Sequence, residues 1–206
     1  MGGVTDDHHI SVCSISVRDY VRRIDQLVDI HLRAMGYPPE TFLPRRQLWL
    51  SNAGKEGFSC VVALTHPPRS TPDPGSSLHH AVGVAYGFPG DRDGWWYREV
   101  RRGLLSSGLT ADAADARLAD YDEISEVHVH PDYQGHGIGR QMLSALLPHL
   151  HQPVAMLSTP EVAGEANAAW SLYRASGFQD VLRGFRFGSD PRPFGILALD
   201  RQRTMS

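Results

Sequence analysis

The chain of 206 residues has few cysteines, no long apolar run and almost no excess of charge. Its two cysteines, Cys13 and Cys60, are too few for a disulfide framework and lack metal-site spacing, so we expect reduced thiols. No apolar stretch approaches the ~20 residues that cross a bilayer. The net charge of −3 gives no reason to expect binding to nucleic acid or to a membrane surface. These absences predict a cytoplasmic protein without a nucleic-acid or membrane partner.

Signals of targeting or of several domains are also missing. The N-terminal residues do not combine a basic start with an apolar run, so we expect no secretory signal peptide. We find no internal repeat and no interdomain linker, and this length suits one globular domain. The sequence therefore predicts a single domain over residues 10–200, with flexible termini at 1–9 and 201–206.

Hydrophobic periodicity predicts a mixed α/β fold, with helices inserted between the strands of one sheet. Asp19 is the predicted N-cap of the first helix, which Gly36 ends. Gly177 has the position of a left-handed residue just after the last helix. Alternating residues predict strands over 10–17, 58–65, 81–88, 121–130, 154–158, 181–187 and 194–199. Helical spacing predicts helices over 20–35, 44–53 and 95–105, from about 138 to 147, and over 167–176. Three of these helices have a predicted buried face: Val21, Ile24, Val28, His31 and Met35 in the first, Trp96, Val100 and Leu104 in the third, and Ile138, Met142, Ala145 and Leu146 in the fourth.

A cluster of glycines between the fourth predicted strand and the following helix carries the clearest chemical signal. Gly135, Gly137 and Gly139 alternate with other residues, which leaves backbone N–H groups uncovered at the start of a helix. Such amides and the helix dipole favour an anion, and Arg140 adds a charge suited to phosphate. A dinucleotide-binding fingerprint would need glycine in place of Arg140, and a Walker loop would need Gly-Lys-Ser/Thr. Neither is present, so another class of phosphate ligand is indicated.

Two motifs in the second half of the chain resemble the GNAT superfamily of acyl-CoA-dependent N-acetyltransferases. The pattern Gln134-x-x-Gly137-x-Gly139, after a strand ending in Val-His-Pro, resembles the family's pyrophosphate arm. The segment from Asn167 through Tyr173 to Gly177-Phe178 resembles its later helix. The resemblance implies a splayed central sheet flanked by helices, with acetyl-CoA as co-substrate.

The resemblance also implies a role for each matching position. The backbone around Val127 and Val129 is expected to pair with the pantetheine amides like a missing strand. The amides from Gln134 to Arg140 are expected to hold the pyrophosphate, and Asn167 to bond the pantetheine arm. The implied cofactor-binding residues are Val127, His128, Val129, Gln134, Gly135, His136, Gly137, Ile138, Gly139, Arg140, Asn167 and Tyr173.

The expected reaction is direct attack of a primary amine on the thioester, because no cysteine lies near the motifs to form an acyl-enzyme. An alkyl amine with a pKa of ~10.4 must first lose a proton. Two glutamates are equal candidates for the base: Glu123, which resembles the catalytic glutamate of some histone-acetylating members in lying eleven positions before Gln134, and Glu126, on the opposite strand face beside His128. A backbone N–H near Val127 would stabilise the oxyanion. Tyr173 matches the family tyrosine beside the coenzyme A sulfur, which implies a catalytic role in which its hydroxyl serves the departing thiolate.

Simpler interpretations stand beside these. Asn167 could serve as an N-cap and Tyr173 as a packed core residue, and either glutamate could be an ordinary strand residue facing solvent. His128 and His130 share a strand face and have zinc-ligand spacing, but no third ligand is evident, so we predict no metal.

Two properties of the whole protein also stay open. The alternative function is a degenerate domain that binds acyl-CoA as a sensor or scaffold. The expected partner is a small-molecule or peptide amine whose identity the sequence does not give, and a homodimer is the default assembly.

Overall fold

The computed structural model describes residues 8–188 and 190–202, so most of the two segments predicted to be flexible lies outside the described residues. The described residues cluster into two compact units. The first contains the described residues up to Tyr86 together with Glu126–His149. The second contains Gly87–Ser125 and the described residues from Leu150 onward. The prediction of a single domain over residues 10–200 stays a prediction.

All seven predicted strands are present in one mixed sheet, which confirms the predicted α/β fold class. The strand order is β1-β2-β3-β4-β5-β7-β6. The strands are β1 His9–Ser14, β2 Ser59–His66, β3 His80–Pro89, β4 Tyr121–Val129, β5 Val154–Pro160, β6 Gln179–Phe185 and β7 Phe194–Asp200.

Antiparallel and parallel pairs combine in this sheet. β1 with β2, β5 with β7 and β6 with β7 are antiparallel. The parallel register of β4 with β5 covers Tyr121–Glu123 against Val154–Met156. A register of three residues in longer strands is what the predicted splay of the sheet requires.

The helices lie between the strands as the periodicity predicts. They are α1 Val17–Met35, α2 Phe42–Ala53, α3 Trp95–Ser106, α4 Ala111–Arg117, α5 Ile138–Leu146 and α6 Ala168–Ala175. Short 3-10 turns occur at Pro39–Thr41, Pro131–Tyr133, Leu147–His149 and Ala163–Glu165. Among the described residues, no helix combines the length and the apolar character needed to cross a bilayer.

The start of α1 differs from the prediction. Ser16, and not Asp19, is the N-cap, and its side chain accepts a hydrogen bond from the Asp19 amide. The Ser16 hydroxyl also donates to the Asp19 carboxylate, so Asp19 supports the cap from the first turn. Gly36 ends the helix in the left-handed conformation, as predicted. Val21, predicted from its spacing to lie on the buried face, is exposed, and its neighbour Tyr20 is buried instead.

In the first unit, α5 lies against the sheet and carries the glycine-rich turn at its N-terminus. Ile138, Met142 and Leu146 are buried as predicted, and Leu143 joins them. A close approach requires Gly83 on β3, where an added Cβ would lie 2.9 Å from the Met142 sulfur. This packing fixes where the helix begins and therefore where its first amides point.

In the second unit, α3 and α4 pack with residues of β4–β7. Trp96, Val100 and Leu104 lie in that core at helical spacing, as the periodicity predicts, whereas Trp95 is exposed. Asp122 on β4 is fully buried and accepts hydrogen bonds from the amides of His151 and Gln152, at 2.8 and 2.6 Å. These bonds tie β4 to the segment that leads into β5.

Candidate active site

A buried cluster of polar side chains in the first unit surrounds Glu126 on β4. Side chains alternate along a strand, so Glu126 and His128 lie on one face of β4 and Glu123 lies on the opposite face. The side chain of Glu126 is only 13 % exposed and that of His128 only 12 %. Such a carboxylate needs hydrogen bonds, because an ionised group out of water is costly without them.

One oxygen of Glu126 is held by α2. The indole Nε1 of Trp49 donates to Oε1 of Glu126 over 3.2 Å. Trp49 is fully buried, and its ring meets Tyr86 of β3 edge to face, with 5.2 Å between ring centroids. The carboxylate is thus fixed in orientation by a side chain that has little freedom to move.

The other oxygen of Glu126 meets two histidines. Nε2 of His128 lies 2.5 Å from Oε2 of Glu126, and Nδ1 of His31 on α1 lies 2.9 Å from the same His128 nitrogen. Nδ1 of His31 is also 3.5 Å from Oε2 of Glu126. We call these three side chains the His31–Glu126–His128 cluster.

Burial and hydrogen bonding set the charge of this cluster. Burial raises the pKa of Glu126, but the hydrogen bond from His128 and the charges of His128, His31 and Arg45 outweigh it and leave that pKa lowered. Burial lowers the pKa of His31 to about 4, against the opposing effect of Glu126. At neutral pH the cluster therefore holds a carboxylate beside a neutral imidazole of His31.

Two members of this site, His31 and Trp49, are absent from the sequence-based set of site residues. His31 stands on the predicted apolar face of α1, and a single polar residue on such a face was the available signal. Trp49 carries no such signal, because a tryptophan in a helix is an ordinary core residue. His130, the other predicted zinc-spaced histidine, lies apart from the cluster, and its Nδ1 accepts a hydrogen bond from the Asp132 amide.

The second candidate base, Glu123, belongs to the second unit. It is half-buried and lies on the opposite face of β4 from Glu126. Glu123 is not part of the cluster around His31 and Trp49. The geometry therefore distinguishes two glutamates that the sequence left equal.

The glycine-rich turn has the backbone conformation that its residues predict. Gly135 and Gly137 have φ values of +82° and +76°, in the left-handed region that favours glycine. The side chain of Gln134 donates to the carbonyl of Val129 over 3.0 Å, which ties the turn to the end of β4. Val127, His128 and Val129 are half-buried at that end of the strand. The Val129 carbonyl keeps a second lone pair for a further donor.

The amides of this turn are available to an anion. Within the described residues, the N–H groups of residues 135–140 donate no hydrogen bond. The first of these residues, Gly135 and His136, are exposed, and so is Arg140 in the first turn of α5. Since the dipole of α5 adds a partial positive charge here, the turn can bind a phosphate group.

Asn167 and Tyr173 lie on α6 of the second unit. Asn167 is the N-cap, since its Oδ1 accepts a hydrogen bond from the Trp170 amide over 2.9 Å. Tyr173 is 7 % exposed, and its ring meets Phe178 edge to face at 5.7 Å. Asn167 therefore caps α6 and Tyr173 packs in the core, and contact of either residue with a cofactor stays a prediction.

Comparisons with known proteins agree in the fold and the family they indicate. The family model of the acetyltransferase (GNAT) domain matches residues 95–180. The chain is 36 % identical over 189 residues to the GCN5-like protein acetyltransferase Rv2170 of Mycobacterium tuberculosis, covering 87 % of this chain and 92 % of that protein.

Two solved structures share the fold at low sequence identity. The polyamine N-acetyltransferase of Drosophila melanogaster aligns with a TM-score of 0.58 at 17 % identity, over 93 % of this chain and 100 % of that one. The yncA protein of Salmonella typhimurium, solved with its cofactor acetyl-CoA, aligns with a TM-score of 0.53 at 17 % identity, over 93 % and 94 % of the two chains.

Proposed function

Because the chain belongs to the GNAT family of acetyltransferases, we propose that it transfers an acetyl group from acetyl-CoA to a primary amine, with Glu126 as the base. The observation that carries this proposal is the Glu126 carboxylate, buried in the first unit and oriented by Trp49 and His128. A carboxylate held in this way is a proton acceptor in a fixed position.

The reaction needs that acceptor. Glu126 first takes one proton from the ammonium group, which frees the nitrogen lone pair, and the nitrogen then attacks the thioester carbonyl and forms the C–N bond. The carbonyl oxygen becomes an oxyanion, which a backbone N–H near Val127 stabilises. The tetrahedral intermediate then breaks its C–S bond, and the departing thiolate takes the second nitrogen proton, which leaves free coenzyme A and the neutral amide.

Glu126 is the better of the two candidate bases on geometric grounds. A general base must lie within hydrogen-bond reach of the proton that it accepts, and its orientation must be fixed. Both carboxylate oxygens of Glu126 have partners, Trp49 on one and His128 on the other, so its orientation is fixed. Glu123 lies on the other face of the strand.

Acetyl-CoA is the proposed donor, bound chiefly through main-chain groups. The amides of residues 135–140 and the side chain of Arg140 would take the pyrophosphate. The backbone of Val127, His128 and Val129 would pair with the pantetheine amides in the manner of an added strand. These groups lie consecutively along β4 and the turn that follows it.

A groove on α1 and α2 of the first unit is suited to the acceptor. Tyr37, one of its lining residues, packs against His31 with 5.4 Å between the ring centroids. Leu43, another, is 67 % exposed and offers apolar contact. The groove is lined by Asp29, Leu32, Arg33, Gly36, Tyr37, Pro39, Phe42 and Leu43. Together with the protein acetyltransferase named above, this mixed lining supports an amine on a protein or peptide.

Acetyl transfer to a panel of amines tests the function, with Tyr173→Phe as the informative variant. Because a thiolate is already a fair leaving group, loss of the tyrosine hydroxyl should remove about one charge-assisted hydrogen bond and lower kcat about 10- to 100-fold. Acetylated peptide would be measured by mass spectrometry and free coenzyme A by thiol release. Tight acetyl-CoA binding without turnover on any amine would instead support the sensor.

Asn167→Ser separates the capping role of Asn167 from its proposed contact with the pantetheine. Serine is as good an N-cap, so the melting temperature should change little. The side-chain amide that would donate to the pantetheine is lost, so we expect KM for acetyl-CoA to rise about fivefold, as for one neutral hydrogen bond. A variant with unchanged KM would leave Asn167 as a cap alone.

A further inference from the structure

We propose that the His31–Glu126–His128 cluster binds a divalent transition-metal ion of the zinc class. The ligands would be Nδ1 of His31, Nε2 of His128 and Oε2 of Glu126. These three atoms lie within 4.8 Å of one another, and they come from a helix and a strand that are distant in sequence. Two imidazoles and one carboxylate are a ligand set that zinc accepts.

The distances in the cluster suit a single ion bound by all three side chains. Zinc bonds to nitrogen and oxygen ligands at about 2.0–2.2 Å, so two ligand atoms of a tetrahedral site lie about 3.3 Å apart. The three separations in the cluster are 2.5, 2.9 and 3.5 Å. Each atom would move by less than about 1 Å to reach that spacing, within the range of small rotamer changes.

Hydrogen bonding alone does not satisfy the cluster. Nε2 of His128 faces both Oε2 of Glu126 and Nδ1 of His31, but a ring nitrogen has either one proton or one lone pair. Whichever it has, it cannot form a good hydrogen bond with both neighbours. A cation at the common point accepts a lone pair from all three atoms at once.

The surroundings also suit an ion with an open coordination position. The side chains of His31, His128 and Glu126 are 3, 12 and 13 % exposed, so the site is enclosed but still reached from outside. Trp49 holds the second oxygen of the carboxylate, as outer partners of metal ligands do. Nε2 of His31 has no partner among the described residues, and the missing outer partner should weaken ion binding about 10- to 100-fold relative to a site whose ligands are all supported.

A bound ion would inhibit the enzyme. This consequence rests on the proposed function, because it requires Glu126 to accept the amine proton. An ion that occupies the Glu126 lone pair removes the base, so Zn²⁺ at a concentration well above its Kd should suppress acetyl transfer, and a chelator should restore it.

Titration of the full chain, first stripped with a chelator, tests the site. We expect calorimetry with Zn²⁺ to give one ion per chain, and Co²⁺ to give visible absorption bands of low coordination number. Glu126→Gln and His128→Gln should each weaken Zn²⁺ binding at least about tenfold. The matched control is His80→Ala, which removes an exposed histidine outside the cluster and should leave the titration unchanged.

The possible results distinguish a failure of the proposed metal site from a failure of the proposed role of Glu126 in acetyl transfer. Zinc bound with undiminished affinity by both cluster variants, or not bound by the native chain, overturns the proposal. Circular dichroism of the variants confirms that weaker binding is not a loss of fold. One ion bound in the cluster with acetyl transfer unaffected supports the metal site and contradicts the assignment of Glu126 as the base.

Discussion

Replacing Gly137 by valine is expected to weaken acetyl-CoA binding at least about 100-fold while the chain still folds. Gly137 has a φ of +76°, and a β-branched residue in that region is strained by at least about 1–2 kcal/mol. No atom lies within 4 Å of an added Cβ, so the variant is penalised by its backbone conformation and not by a clash within the protein. The turn would leave this conformation and carry its amides away from the pyrophosphate.

The size of the effect follows from the contacts that would be lost. A hydrogen bond to a charged group contributes about 1.5–3 kcal/mol, and two such bonds exceed the 2.7 kcal/mol or so that correspond to 100-fold in Kd. The added side chain also obstructs the close approach of the phosphate to the backbone. Calorimetric titration with acetyl-CoA measures the change, and the melting temperature reports the fold.

Gly108→Val is the matched control for this prediction. Gly108 follows α3, has a φ of +100° and has no atom within 4 Å of an added Cβ. Its replacement imposes a comparable backbone strain far along the chain from the glycine-rich turn, so acetyl-CoA affinity should be unchanged. If Gly137→Val bound acetyl-CoA as tightly as the native chain, the placement of the cofactor would be wrong.

Glu126→Gln is expected to lower kcat about 10²- to 10³-fold, with KM for acetyl-CoA changed less than about threefold. General-base catalysis contributes about 10²–10⁴-fold, and glutamine keeps the shape of the side chain while losing its capacity to accept the proton. The Glu126 side chain interacts with His31, Trp49 and His128, and no donor contact is proposed for it, so the loss should fall on kcat. Steady-state rates with a saturating peptide amine measure both constants.

Glu123→Gln provides the comparison, because the same chemical change is made on the other face of β4. We expect its kcat to stay within about threefold of the native value, as for a substitution outside the reacting groups. A large loss in Glu123→Gln together with a small loss in Glu126→Gln would reverse the assignment. Small losses in both variants would indicate that the amine proton leaves through water.

The elements of the fold were largely predictable because their signals are local. Helical spacing and the glycines at positions 36 and 177 predicted where helices end, and both glycines adopt positive φ. The start of α1 was predicted wrongly. Ser16 and Asp19 are both residue types that cap helices, and the sequence does not show which side chain accepts the hydrogen bond from a first-turn amide.

One part of the candidate site was likewise predictable from local sequence, and another part was not. The glycine-rich turn was predictable, since Gly135, Gly137 and Arg140 lie within six positions of one another and the two glycines act through backbone geometry. The surroundings of Glu126 were not. His31 lies 97 positions away from His128 in the chain, and no spacing rule connects a helix residue to a strand residue over that distance.

By itself the sequence determined the family, the order of the strands and helices, and the turn that is suited to a diphosphate. Each of these depends on neighbours in the chain: apolar period, caps and residues that tolerate a left-handed backbone. The tertiary structure alone decided that Glu126 meets His31, Trp49 and His128, whereas Glu123 has the other face of the strand. Packing of helices on a sheet brings distant residues together, and that packing is a property of the whole buried surface and not of any short segment.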